Sequence, residues 1–106
     1  MYHLAHIVNG TAVAGSPAGW GDVFDPSTGE VQGRVPLGDA AIVEEAVTAA
    51  LAAQPAWAAQ NPQRRARVLF EFKRLVEAHM DELAALLSSE HGKVVADSRE
   101  IGRAHV

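Results

Sequence analysis

The sequence predicts an α+β fold in which N-terminal β-hairpins are followed by two or three α-helices. Up to Leu37 the apolar residues are spaced for strands and punctuated by Gly and Pro clusters; beyond Asp39 they recur at helical intervals. The block from Asn61 to Lys93 carries helix signals at both ends and an apolar stripe between them. This arrangement reads as a scaffold, with residues 1–38 forming hairpins and 39–99 forming helices.

The first hairpin centres on Asn9-Gly10, between Ile7-Val8 and Val13, because Asn-Gly supplies the two positive φ angles of a tight turn. Gly15 to Gly21 is expected to be a loop. Val23-Phe24 then begins a second hairpin turned by Asp25-Pro26-Ser27-Thr28-Gly29, and Val31, Gly33, Val35 and Leu37 alternate on a one-sided return strand. Asp39 is a good N-cap for a helix whose stripe is Ile42 or Val43, Ala46, Val47, Ala50 and Leu51, with Glu44 and Glu45 off it. Pro55 should kink that helix or end it near Gln54.

Asn61 can cap the next helix, Pro62 suits its first position and Gly92 can stop it in the left-handed conformation. Leu69, Phe72, Val76, Leu83 and Leu87 fall on roughly one face, the expected buried stripe. Asp81 could act as a fresh N-cap after His79, so one kinked helix and two consecutive helices are both open.

With 106 residues the chain has room for one small domain, and so short a chain leaves much surface in water unless a partner covers it. Its 48% hydrophobic and 21% charged content argues against disorder, although alanine inflates the apolar share. A net charge of −4 argues against a nucleic-acid-binding surface. Only Arg64, Arg65, Arg67, Lys73 and Arg74 cluster, near a helix start where the macrodipole disfavours cations; a solvated face is the favoured reading over carboxylate partners on another element. The start MYHLAHIVNG lacks both a basic start and a sustained apolar stretch, and no later segment is long and apolar enough to span a bilayer, so a cytoplasmic protein with no membrane partner is expected.

Four segments in register carry a resemblance: IVNGTAV (Ile7 to Val13), FDPSTGEV (Phe24 to Val31), AAQPAWAA (Ala52 to Ala59) and the long block from Asn61. From about His6 to Arg99 the chain resembles the N-terminal part of aldehyde dehydrogenases, and in wording the CoA-acylating methylmalonate-semialdehyde dehydrogenases. The resemblance implies a piece of the α/β aldehyde dehydrogenase fold, in which the first helix may be continued through Trp57. Full-length relatives are several times longer, form homo-oligomers, and use NAD and CoA. A cysteine thiolate attacks the aldehyde, hydride passes to NAD, carbon dioxide is lost from the thioacyl group, and the remaining acyl group passes to CoA, giving propionyl-CoA or acetyl-CoA in valine or inositol breakdown. The cysteine, general-base glutamate, oxyanion-hole asparagine and nucleotide-contacting residues of that family all belong downstream of the matched region. No catalytic, cofactor-binding or metal residue is therefore carried over. Residues 100–106 are expected to be a divergent tail, which a frameshift or premature stop in a longer gene would explain; reading the downstream nucleotides in all frames tests this.

The residues themselves agree with an inert piece. No cysteine is present, so no thiolate nucleophile, zinc–thiolate or iron–sulfur site can be built. Gly15, Gly19 and Gly21 lack the dinucleotide-binding spacing and open no helix; Gly92-Lys93 closes a helix rather than opening one. His3, His6, His79, His91 and His105 are scattered, and neither Glu44-Glu45 nor Asp81-Glu82 forms a facing pair. Trp20 and Trp57 read as packing anchors, left partly bare if the rest of a subunit is missing. The rival readings are a non-catalytic interaction module, which pairs with itself or with an intact dehydrogenase subunit, and a fragment acting in another semialdehyde dehydrogenase.

Overall fold

A computed structural model describes residues 1–14 and 18–104, with side chains described as far as Ile101. Gly15 to Pro17, His105 and Val106 lie outside the described residues, and with them part of the predicted loop and tail. The chain divides into two compact units. The first comprises Met1–Phe24 with Val31–Ala59, the second Asp25–Glu30 with Gln60–Val106.

In the first unit, β1 (Tyr2–His3), β2 (His6–Val8), β3 (Thr11–Val13), β4 (Gly19–Phe24) and β5 (Val31–Leu37) precede helix α1 (Ala40–Ala58). β2 and β3 form the predicted antiparallel hairpin, with Val8 opposite Thr11. Asn9 and Gly10 take φ of 52° and 72°, the paired positive angles that this turn requires. The other sheet has the order β1-β5-β4, with β4 antiparallel and β1 parallel to β5. Pro36 stands opposite Trp20 in the β4 ladder, and on its other side β1 reaches only Gly33 and Arg34, so β5 has a free edge at the proline. Burial along β5 does not follow the predicted alternation: Gly33 and Pro36 are buried, whereas Val31 and Leu37 stay exposed.

Gly33 is buried because the Tyr2 ring lies over it; a Cβ there would meet ring atoms at 2.3 to 2.6 Å. An aromatic ring shielding a strand glycine secures the edge strand. Gly33→Ala is expected to lift Tyr2 and loosen β1 while β4 and β5 stay paired. Amide exchange at Leu4, whose N–H donates to the Arg34 carbonyl at 2.9 Å, should accelerate, with rates along β4 unchanged.

Asp39 caps α1 through a bond from the Ile42 N–H to its Oδ1 at 3.0 Å. The helix continues through Pro55 to Ala58 instead of ending near Gln54. The missing proline N–H removes one bond of the ladder, that to the Leu51 carbonyl, and the helix ends within a turn of it.

The second unit holds α2 (Pro62–Ala78), α3 (Met80–His91) and α4 (Val95–Ala104). Asn61 Oδ1 accepts from the Arg64 N–H at 2.9 Å, and Pro62 occupies the first turn. The break between α2 and α3 falls at His79, with φ −107° and ψ 19°, so two helices replace the single kinked one. Asp81 is not the cap; it sits in the first turn of α3 with Glu82, where acids complement the helix dipole. Gly92 ends α3 at φ 84°, its N–H donating to the Ser88 carbonyl at 2.8 Å.

α4, within the predicted helical region and running into the expected divergent tail, is a separate helix that the apolar pattern did not resolve. Its contact with α3 is partly polar: Ser98 is 2% exposed and its Oγ lies 2.8 Å from Ser88 Oγ. Arg99 and Asp81 pair elsewhere along the two helices. Ser98→Ala strands the part-buried Ser88 hydroxyl and should cost about 1 kcal/mol, read as a lower denaturation midpoint at unchanged slope.

The apolar stripes are helical but not buried. Val8, Met80 and Ala84 are the buried hydrophobic residues among those described, and no large side chain is fully enclosed. Leu69, Phe72 and Leu83 of the predicted buried stripe are exposed, as are Val43, Val47 and Leu51 of α1. The periodicity was right about the helix and wrong about its cover.

Candidate functional site

Each residue with catalytic potential has a local, structural explanation. In the first unit a hollow of about 150 Å³ is lined by His6, Asp39 and Glu45 among apolar neighbours. Asp39 is already committed there as the α1 cap, and the hollow holds no nucleophile. His3 lies in β1 and His6 in β2, strands of different sheets, and the His3 ring meets Trp20 edge-on at a centroid distance of 5.6 Å. Gly19 and Gly21 lie within β4, opposite Leu37 and Val35. A Cβ on either would touch those side chains at 3.5 and 3.2 Å, so neither glycine opens space for a pyrophosphate and neither stands at a helix N-terminus. Neither glycine forms part of a dinucleotide-binding turn.

In the second unit His79 Nδ1 lies 3.1 Å from Glu82 Oε2, one turn along and exposed. His91 occupies the last turn of α3, where a cation suits the dipole. Among the described residues no three of His, Asp and Glu converge to hold a metal ion. Also among them, no helix is long and apolar enough to cross a membrane.

Two of the five clustered cations on α2, Lys73 and Arg74, are matched by carboxylates of their own helix. Arg74 makes a two-point contact with Glu71 at 2.9 and 2.6 Å, and Lys73 stands 4.0 Å from Glu77. The Arg74 hydrogen bond holds the Glu71 carboxyl below its usual range, and Glu71 in turn raises Arg74. The resulting stabilisation is present above the ordinary carboxylate pKa and is lost as pH falls through the depressed one. Both groups are fully solvated, so salt screens the effect. Arg65 differs from its neighbours: its Nε is closed off from solvent without a hydrogen-bond acceptor among the described residues. Sequence reasoning grouped it with the solvated cations, although its register with Leu69, Phe72 and Val76 marks it as part of the apolar stripe.

A concavity on the second unit is mainly apolar. Phe72, Leu75, Val76, His79, Glu82 and Leu83 line about 530 Å³ between α2 and α3, and Ala66, Leu69, Phe70 and Lys73 line a further 300 Å³. These surfaces are lined mainly by apolar side chains. Trp20 and Trp57 are 45% and 40% exposed, packed on one side and partly bare on the other.

Comparison with known proteins identifies the type of structure that has such surfaces. Residues 14–105 match the aldehyde dehydrogenase family model. The chain is 44% identical over 98 residues to a malonate-semialdehyde dehydrogenase of Pseudomonas aeruginosa, covering 92% of this chain and 20% of that protein. It is 37% identical over 91 residues to the acylating methylmalonate-semialdehyde/malonate-semialdehyde dehydrogenase of Rattus norvegicus, covering 86% of this chain and 17% of that one. A crystal structure assigned to a methylmalonate-semialdehyde dehydrogenase of Sinorhizobium meliloti, complexed with NAD, superposes with a TM-score of 0.92 at 50% identity, covering 94% of this chain and 20% of that one. The chain thus spans about one-fifth of the length of the relatives it matches.

Proposed function

Because the chain belongs to the aldehyde dehydrogenase family, we propose that it is the N-terminal, non-catalytic piece of an NAD-dependent, CoA-acylating methylmalonate- or malonate-semialdehyde dehydrogenase. The whole enzyme would act in the cytoplasm and convert the semialdehyde, NAD and CoA to propionyl-CoA or acetyl-CoA, with release of carbon dioxide and NADH. The observation that carries the reading is the combination of 44% identity to a malonate-semialdehyde dehydrogenase with the absence of cysteine from the chain. The family's oxidation forms a bond between a thiolate and the aldehyde carbon, and this chain supplies neither the sulfur nor a nucleotide cradle. What it does supply is a scaffold of two hairpins and four described helices with apolar outer faces.

The substrate assignment rests on the semialdehyde dehydrogenases named above. A human 2-aminomuconic semialdehyde dehydrogenase, 44% identical over 78 residues, keeps another semialdehyde as the alternative. Intact mass spectrometry tests the non-catalytic assignment. After incubation with methylmalonate semialdehyde and NAD the chain should keep its mass, and a substrate-dependent acyl adduct retained after denaturation would overturn the reading.

A further inference from the structure

The β2–β3 hairpin turns on Asn9-Gly10, and both residues are exposed. A Cβ built on Gly10 would meet nothing within 4 Å, so the space around it is open. Among the described residues no hydrogen bond holds the Asn9 amide. In an asparagine-glycine pair the glycine nitrogen can attack the asparagine side chain with little hindrance, because glycine adds no Cβ to crowd the five-membered ring that forms. The chain's other asparagine is closed to this reaction. Asn61 precedes Pro62, which has no N–H to attack with, and its Oδ1 accepts from the Arg64 N–H at 2.9 Å. Gln32-Gly33 would need a six-membered ring; Gln32 Nε2 donates to the Phe24 carbonyl at 3.2 Å, and the Tyr2 ring covers Gly33.

We propose that Asn9 is a spontaneous deamidation site whose isoaspartate product unseats the first hairpin from α1. Solvent base removes the Gly10 amide proton, the nitrogen bonds to Asn9 Cγ, and the Cγ–Nδ2 bond breaks with loss of ammonia. Water then opens the cyclic imide at either carbonyl. Opening at Cγ leaves aspartate; opening at the backbone carbonyl leaves isoaspartate, with the main chain rerouted through Cγ and lengthened by one carbon. The first product suits the turn, since Asp-Gly serves a two-residue hairpin as Asn-Gly does. The second does not, because the extra carbon disturbs the Val8–Thr11 pairing that fixes the register. Val8 is one of the few buried hydrophobic residues described, and with Asn9 it lines a hollow of about 220 Å³ against Ala46, Ala49 and Ala50 of α1. A two-stranded hairpin has little stability of its own, so a disturbed turn frees it from that seat.

The test uses the full 106-residue chain, held folded in mildly alkaline buffer and sampled over time. The expected result is the mass gain of an amide-to-acid conversion, confined to the peptide that holds residue 9. Methyl transfer from labelled S-adenosylmethionine by a protein isoaspartate methyltransferase should count isoaspartate as the larger share of product. Asn9→Gly, which keeps the turn as Gly-Gly, should lose both signals. Hydrogen exchange at the β2 and β3 amides should rise roughly tenfold in the isoaspartate form and hold its starting rate in Asn9→Asp. No conversion, conversion at another residue, conversion only after unfolding in urea, or a purely aspartyl product overturns the site. Equal exchange in the isoaspartate form and in Asn9→Asp overturns the effect on the hairpin.

Discussion

The purified chain, mixed with methylmalonate semialdehyde, NAD and CoA, is expected to form NADH no faster than the same mixture without protein. Enzymes accelerate reactions by about 10⁶-fold or more, and in a thiol-dependent oxidation that acceleration begins with a positioned thiolate. The sequence holds no cysteine to supply one. The hydroxyls described at close range, Ser88 and Ser98, bond each other in the α3–α4 contact with no histidine placed to activate either. His79, the histidine with a carboxylate partner, faces Glu82 on an exposed helix start. Following absorbance with the semialdehyde in excess checks the expectation, and a rate that scales with chain concentration would refute it.

The second large effect is an inversion of the usual ranking of core substitutions. Phe72→Ala ordinarily costs about 3–5 kcal/mol at a buried site. Phe72 is 59% exposed, so in this chain the change should cost no more than about 0.5 kcal/mol. Ala84 is 2% exposed in α3, and Ala84→Leu forces a larger side chain into filled space, at about 1–3 kcal/mol. At roughly 4–8 °C per kcal/mol for a domain of this size, the alanine-to-leucine change should lower Tm visibly and the loss of the phenyl ring should not. Thermal unfolding of both variants decides the point, and a larger fall for Phe72→Ala would mean that α2 has a core of its own.

Local signals in the sequence were reliable where the cause was local. Asn9-Gly10 set the first turn, Asp39 and Asn61 capped their helices with measurable bonds, and Gly92 ended α3. The break at His79 was narrowed to two possibilities, because a cap can be read from residue type but competition between caps cannot. Burial was misjudged. The stripe of Leu69, Phe72 and Val76 encodes a helix intended for contact, and periodicity does not say whether the contacting surface lies in the same chain. α4 escaped as a distinct element because its contact with α3 runs through Ser98, a small polar residue that no apolar pattern marks. Arg65 was missed for a similar reason: among five clustered cations its register with the apolar row was the signal, and composition alone obscured it. Family membership was legible from four short segments, and the matched region extends across residues 14–105.

The central claim is that this chain contributes surface and scaffold to a dehydrogenase and no reaction site. Calorimetric titration of NAD into the pure chain tests it most directly, since coenzyme binding is the first requirement of the chemistry and needs no turnover to be seen. The account predicts heats of dilution alone across the titration; a saturable isotherm with a stoichiometry near one would contradict it.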